Sequence, residues 1–388
     1  MALKDSVDGI LEAAVSRGDV PGVVAAATTA DGTVYEGGSG ERAVGSGVAM
    51  TPDTVGWIAS MTKAITGAAA MQMVEQGRLE LDGPASAVIP YLGEVGVLEG
   101  FDDEGQPKTR PPKRPVTLRH LLTHTSGYVY EIWNTDILAY QEAKGVPQIT
   151  SCENAALTTP LLFDPGERWD YGIGIDWAGK MVEAVSGQKL GQYMKENIFD
   201  PLGMDDTAFK VSPAMQERLA TVHVRGEDGA WAPMEFMVEQ NPEFEMGGGG
   251  LYSTVGDYLK FIRMILNRGA ANGHRVLRPE TVAAMSANSI GDTRVVKLST
   301  AMPPYSNDAE FFPGMEKTWG LTFMINNEEA PTGRSAGSLA WAGLANSYFW
   351  IDPAKGIGGA YMTQVLPFAD EKSLPLFLDF ETAVYRSL

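Results

Sequence analysis

A single cysteine, Cys152, stands in 388 residues, so no disulfide can form within the chain and the fold rests on packing and hydrogen bonding alone. Positive charge is also scarce: 30 lysines and arginines against 49 aspartates and glutamates leave a net charge of −19. Nucleic acid and anionic membrane surfaces would repel such a chain, which excludes both as main partners. No apolar run approaches the roughly 20 residues that a spanning helix needs. The opening Met1-Ala2-Leu3-Lys4-Asp5-Ser6 lacks the apolar block of a signal peptide, so a cytoplasmic location is expected. Internal repeats and low-complexity segments are missing. Histidine is rare too, with only His120, His124, His223 and His274. His120 and His124 have the i, i+4 spacing of metal ligands. Leu121, however, stands where a metalloprotease carries its glutamate, and no third ligand is indicated. No metal is expected, and the pair is read as ordering the Thr125-Ser126-Gly127 turn.

What is present is a globular chain, 44% hydrophobic and long enough for two lobes. Val7, Ile10, Leu11, Ala14 and Val15 recur at helical spacing, and Gly18 ends the run. Val23 to Thr29 and Thr33 to Glu36 read as strands joined by the hairpin signal Ala30-Asp31-Gly32. From about residue 83 to 209 the chain turns to Pro- and Gly-rich loops, with an excursion at Asp102 to Gly105 and short helices such as Leu118 to His124 and Asp176 to Val185. Gly247 to Gly250 marks either a backbone crossing close to a pocket or a flexible turn. Strand patterns return in Leu321 to Ile325, Ser338 to Gly343, Ser347 to Ile351 and Ile357 to Val365, before a closing helix over Leu374 to Tyr385. The expectation is one alpha/beta domain from residues 1–82 and 210–388 with an antiparallel sheet, a mostly helical domain over 83–209 inserted into it, and an active site in the cleft between them.

The chemistry centres on Ile58-Ala59-Ser60-Met61-Thr62-Lys63. If a helix begins near Ser60, residues i and i+3 share one face, and the Lys63 amine lies beside the Ser60 hydroxyl. A serine becomes nucleophilic when a neighbouring base takes its proton, and a buried lysine held neutral can do so. The second Ser-x-x-Lys, Ser186 to Lys189, reads as a helix stop because Gly187 follows a last helical turn. Gly333-Arg334-Ser335-Ala336-Gly337 matches the nucleophile elbow of alpha/beta hydrolases. That family needs its histidine after the serine, and all four histidines precede Ser335. A proton relay from across the cleft is best supplied by Tyr171 in Trp169-Asp170-Tyr171, with Tyr128 in reserve. Asp176 reads equally as a brace for the Tyr171 loop and as a plain helix cap.

Ser60-Met61-Thr62-Lys63, Leu121-Leu122-Thr123-His124-Thr125-Ser126-Gly127, Trp169-Asp170-Tyr171 and Trp341-Ala342-Gly343 occur in the order of the beta-lactamase-like serine hydrolases. Within them, the chain resembles a family VIII carboxylesterase, the branch related to class C beta-lactamases and D,D-peptidases. The likeness runs from about residue 10 to 365. It implies an α+β fold of the beta-lactamase/transpeptidase-like type, an antiparallel sheet flanked by helices plus an inserted helical domain. It further implies Ser60 as the acylated nucleophile, Lys63 as the group that helps deprotonate it, and Tyr171 as general base and acid, with the choice between Lys63 and Tyr171 for the serine proton left open. The backbone N–H groups of Ser60 and Leu344 would form the oxyanion hole. Trp341, Ala342 and Gly343 would border the substrate, as would Tyr128.

Two departures shape the substrate expectation. Trp341 stands where the lactamases carry a lysine that binds a carboxylate, and Ile173 replaces the asparagine of their Tyr-x-Asn motif. Losing a charge-assisted contact of about 1.5–3 kcal/mol costs about ten- to a hundredfold in affinity. The expected function is hydrolysis of short- to medium-chain esters, small molecules, through an acyl-enzyme, with weak beta-lactam cleavage as a side activity and no cofactor. An acyltransferase, or a lactamase or peptidase of the same fold, is the alternative; a non-catalytic acyl-binding sensor ranks behind them. Oligomeric state is not legible.

Overall fold

The computed structural model describes residues 3–226 and 228–388. Met1 and Ala2, read above for a leader, lie outside them. A seven-stranded antiparallel sheet forms the framework, built from β1 (Gly22–Thr29), β2 (Thr33–Gly40), β3 (Lys317–Trp319), β4 (Met324–Asn326), β5 (Leu339–Gly343), β6 (Ser347–Asp352) and β7 (Ile357–Met362). Its spatial order is β3-β4-β5-β6-β7-β1-β2, so β1 pairs with β7 and the two ends of the chain meet mid-sheet. Leu321 to Ile325 is not one strand, contrary to the pattern: Gly320 N–H donates to Phe323 O, Thr322 takes φ +80°, and the extended run starts only at Met324. Hydrophobicity without strict alternation could not locate that turn.

Five helices matter for the site: α1 (Leu3–Ser16), α2 (Thr62–Glu75), α3 (Gly174–Ser186), α4 (Val255–Leu266) and α5 (Ser373–Arg386). Two adjacent glycines explain how helices cover both sheet faces, because successive strand residues point to opposite sides. A Cβ on Gly358 would lie 2.7 Å from Ile262 of α4, and one on Gly359 would lie 2.3 Å from the Trp350 ring, which packs on Phe377 and Phe380 of α5. Helix α2 has no polar face. Every residue from Thr62 to Met73 is buried, as expected for a helix enclosed on all sides. It runs against α3, and Gly67 lets it approach Thr322, whose Oγ1 would sit 2.4 Å from an added Cβ.

Between residues 83 and 209 the chain carries short helices and a single hairpin, Val97–Phe101 with Pro107–Arg110, whose tip is the Asp102 turn. The Gly-rich run resolves as a crossing: a Cβ at Gly248 would lie 2.4 Å from Asp176 Oδ2, and one at Gly250 2.9 Å from Phe209. Ser186 ends α3, and Gly187 adopts the left-handed conformation at φ +73°.

The nucleophile-elbow look-alike has a structural use. Arg334, 2% exposed, places its guanidinium on Glu381 of α5, itself fully buried, and Thr332 hydrogen-bonds the same carboxylate. Ser335 donates its backbone N–H to Asp352. Removing one partner of a buried ion pair strands the other, at a cost of about 3–5 kcal/mol. Glu381→Ala is therefore expected to lower unfolding free energy by about that amount in urea titration, while Arg334→Met combined with Glu381→Leu loses far less. Equal losses in the single and double variants would show that the charge pairing contributes nothing.

Candidate active site

Ser60 sits in a 3₁₀ turn, Ala59–Met61, immediately before α2. The turn is held from three sides. Gly56–Trp57 pairs with Tyr252–Ser253, Ile58 N–H donates to Leu251 O at 3.0 Å, and Thr62 Oγ1 accepts from Leu251 N–H at 3.1 Å. Ala59 is forced to φ +44°, a conformation that costs a non-glycine residue about 1–3 kcal/mol and persists only where its surroundings impose it. Strand β5 then closes on the turn. A Cβ on Gly343 would lie 2.3 Å from both Ile58 O and Ser347 Oγ, so only glycine lets this strand approach and bring Leu344 beside Ser60.

One helical turn on, Lys63 is wholly buried. Its Nζ donates to Ser60 Oγ at 3.0 Å, to the Tyr130 hydroxyl at 3.0 Å and to Gly248 O at 2.6 Å. Burial pushes the Lys63 amine down to about 7, with the carboxylate of Asp176 pulling the other way. Tyr171 lies across the cleft, its ring centroid 4.7 Å from Lys63 Nζ. Its hydroxyl accepts a 2.9 Å hydrogen bond from Trp341 Nε1. Burial raises this phenol above the ordinary tyrosine range, and the neighbouring Ser60 and Trp341 hold it partly back.

His124 fixes Tyr171 from behind. Its backbone oxygen accepts from Asp170 N–H at 2.9 Å, its Nδ1 accepts from Gly172 N–H at 3.3 Å, and its ring packs 4.7 Å from that of Tyr171. Burial and the nearby Lys63 keep it neutral. The side chain thus orders the Tyr171 segment rather than the Thr125 turn. His120 completes a capping box with Thr117. Nδ1 of each ring accepts a backbone hydrogen bond within the fold, while Nε2 of His124, also buried, has no partner.

Ser60 stands between two small apolar compartments. The first is walled by Trp57, Ile132, Ile149 and Met246, with Tyr130 and Gly249 also in its lining. The second is lined by Tyr171, Trp341, Ala342, Gly343, Leu298 and Phe368. Trp133 and Leu344 border both. No lining residue of either carries a charge.

Tyr128 departs from its expected place. It is fully buried against Trp177 and lines neither compartment. Tyr130, two residues on, occupies the site instead, and its backbone N–H is tied to Tyr171 O at 3.0 Å. Nothing local in Gly127-Tyr128-Val129-Tyr130 distinguishes the two rings; the path of the chain past Tyr171 does.

The sequence and the fold are similar to those of proteins of known kind. The beta-lactamase family profile matches residues 7–382. The chain is 33% identical to the lovastatin esterase of Penicillium rubens over 98% of both proteins. It is 34% identical to the monacolin J acid methylbutanoyltransferase of Aspergillus terreus, across 86% of this chain and 82% of that one. The LovD6 mutant of simvastatin synthase from A. terreus superposes with a TM-score of 0.85 at 32% identity, covering 98% of this chain and 96% of its own. By fold and by sequence over nearly its whole length, the chain belongs to the beta-lactamase family of serine hydrolases.

Proposed function

We propose that the protein is a serine carboxylesterase of the family VIII type, cleaving neutral esters through an acyl-enzyme on Ser60. One observation carries this reading: both compartments beside Ser60 are uncharged, and Trp341 fills the place of a carboxylate-binding lysine with an indole already engaged by Tyr171. A substrate carboxylate would be dehydrated there without a partner, at a penalty that an ester does not incur.

In this mechanism, the two N–H groups of neutral Lys63 point to Tyr130 and Gly248 O, which turns its lone pair towards Ser60 Oγ. Lys63 takes the serine proton as Ser60 attacks the ester carbonyl, and the backbone N–H groups of Ser60 and Leu344 receive the oxyanion. Tyr171, protonated at rest, gives its proton to the departing alkoxide as the C–O bond breaks. The acyl-enzyme then faces a Tyr171 phenolate stabilised by the Trp341 N–H and the Lys63 ammonium. Water loses a proton to Tyr171 and attacks; Lys63 returns its proton to Ser60 as the acid leaves. An alcohol in place of water gives acyl transfer by the same steps. The relatives, named as an esterase and a methylbutanoyltransferase, make that the second reading.

Three outcomes are expected. Hydrolysis of p-nitrophenyl butyrate should vanish in Ser60→Ala, with a chromogenic cephalosporin cleaved slowly at best by the wild type; persistent turnover in the variant would remove Ser60 from the mechanism. Trp341→Phe deletes one donor to a developing phenolate, a contact of about 1.5–3 kcal/mol, so kcat should fall about ten- to a hundredfold with KM little changed. A change confined to KM would make Trp341 a wall only. Because acylation needs neutral Lys63, kcat/KM should rise with pH through about 7 and then level off, whereas an unperturbed lysine would keep it climbing towards 10.5. Trapping with added primary alcohol measures how the acyl group divides between water and alcohol, which separates esterase from transferase.

A further inference from the structure

We propose that Asp176 is a positioning residue for Lys63, holding the Gly248 peptide that lies between them and setting its own negative charge against the amine. This rests on the Ser60 and Lys63 roles given above and adds a residue that touches neither substrate nor nucleophile. Asp176 sits in the first turn of α3 and is 1% exposed. Its Oδ1 accepts from Gly248 N–H at 2.7 Å, while Oδ2, equally buried, has no hydrogen-bond partner. The carbonyl of the same glycine accepts from Lys63 Nζ at 2.6 Å. One residue thus presents its donor to the carboxylate and its acceptor to the amine.

Two consequences follow from that arrangement. A carboxylate on the N–H side anchors this backbone segment, and so fixes where Gly248 O meets the lysine. The fit leaves no room at the crossing, since a Cβ at Gly248 would come within 2.4 Å of Oδ2 and 2.9 Å of Oδ1. The negative charge also favours the ammonium over the amine, opposing the burial that favours the amine. An isolated buried carboxylate with an unpartnered oxygen costs stability, so its placement next to the one buried amine of the site is a compensated arrangement rather than an ordinary helix cap. The lactamase-type asparagine contact at position 173 is gone here, replaced by Ile173. Asp176, one helical turn further along, supplies polar order to the lysine from a different direction.

Other titratable groups face this pair. Lys63 hydrogen-bonds Tyr130, lies over the Tyr171 ring and acts electrostatically on His124, and Asp176 acts electrostatically on Tyr130, Tyr171, Glu131 and Cys152. Tyrosines and cysteine raised by burial stay neutral near pH 7, and His124 is kept neutral, so Glu131 is the one further group whose ionisation could overlap. Glu131→Gln therefore serves as the control.

The test follows the rate at which a fluorophosphonate labels Ser60 as a function of pH, with mass spectrometry locating the adduct. This reaction forms the Ser60 O–P bond and expels fluoride, and it needs only the nucleophile and its base, not ester turnover. The wild-type rate should rise through about 7. In Asp176→Asn, which keeps the acceptor for Gly248 N–H but removes the charge, the midpoint should move to lower pH by on the order of one unit. Glu131→Gln should leave it in place. A midpoint that stays put in Asp176→Asn, or moves upwards, overturns the proposal even if labelling slows, because a purely structural brace would slow labelling without moving it. Should that variant fail to fold by thermal melting, Gly248→Ala is read in the same way: crowding the carboxylate and displacing the carbonyl should also lower the midpoint, and an unmoved midpoint overturns the role. If the wild type is not labelled at Ser60 at all, the nucleophile assignment falls and this inference with it.

Discussion

A lysine amine with no water around it is the constraint on which this structure turns. Lys63 can reach Ser60 only from a helix buried on every side, and a buried amine is tolerable only if each of its hydrogens finds an oxygen. For the neutral amine those oxygens come from the Tyr130 segment and the Gly248 crossing, and Ser60 Oγ in the nucleophile turn faces the remaining position on nitrogen. The helices that carry α2 into the interior, the glycines that let neighbours approach it and the packing of α3 alongside are all conditions for that single side chain. Dehydration also supplies the chemistry, since the same burial that would be a liability for a structural lysine brings its proton affinity near neutrality.

The second half of the site is organised around a phenol instead of an amine. Tyr171 has its backbone tied to His124 on both sides, its ring set among His124, Tyr130, Trp133 and Trp341, and its hydroxyl bonded to an indole. A neutral donor in place of a cation has a clear electrostatic meaning. In the mechanism proposed above it would steady a transient phenolate while leaving the resting tyrosine protonated, and it presents no charge to a substrate. The substitution that removes carboxylate recognition therefore also supports the proton shuttle we propose.

How much of this could be read from the sequence depends on the range of the interaction. The Ser60–Lys63 contact was legible because it lies within one helical turn, and the antiparallel sheet because its strands carry extended patterns with tight turns between them. The order of four short motifs carried the family. Legibility failed where long-range backbone paths decide. Tyr128 and Tyr130 are alike in local pattern, and only the pairing of Tyr130 with Tyr171 determines which ring enters the cleft. The Trp341 indole was read as a wall; its bond to Tyr171 joins residues 170 positions apart. Asp176 and the Gly-rich run were each ambiguous alone, and each becomes clear only once the other is seen against it. The break at Thr322 was hidden because an apolar run looks the same whether straight or folded back.

The position of Ser60 between two compartments that share only Trp133 and Leu344 as other walls has an evolutionary reading. Residues such as Ile149 and Met246 shape one chamber, while Leu298 and Phe368 shape the other, and these four walls lie on different segments of the chain. Drift in the walls of one chamber can proceed without changing those of the other. A lineage built on such a plan would diversify by recombining two independent preferences, so that hydrolases and transferases with quite different substrates can be separated by a handful of wall residues.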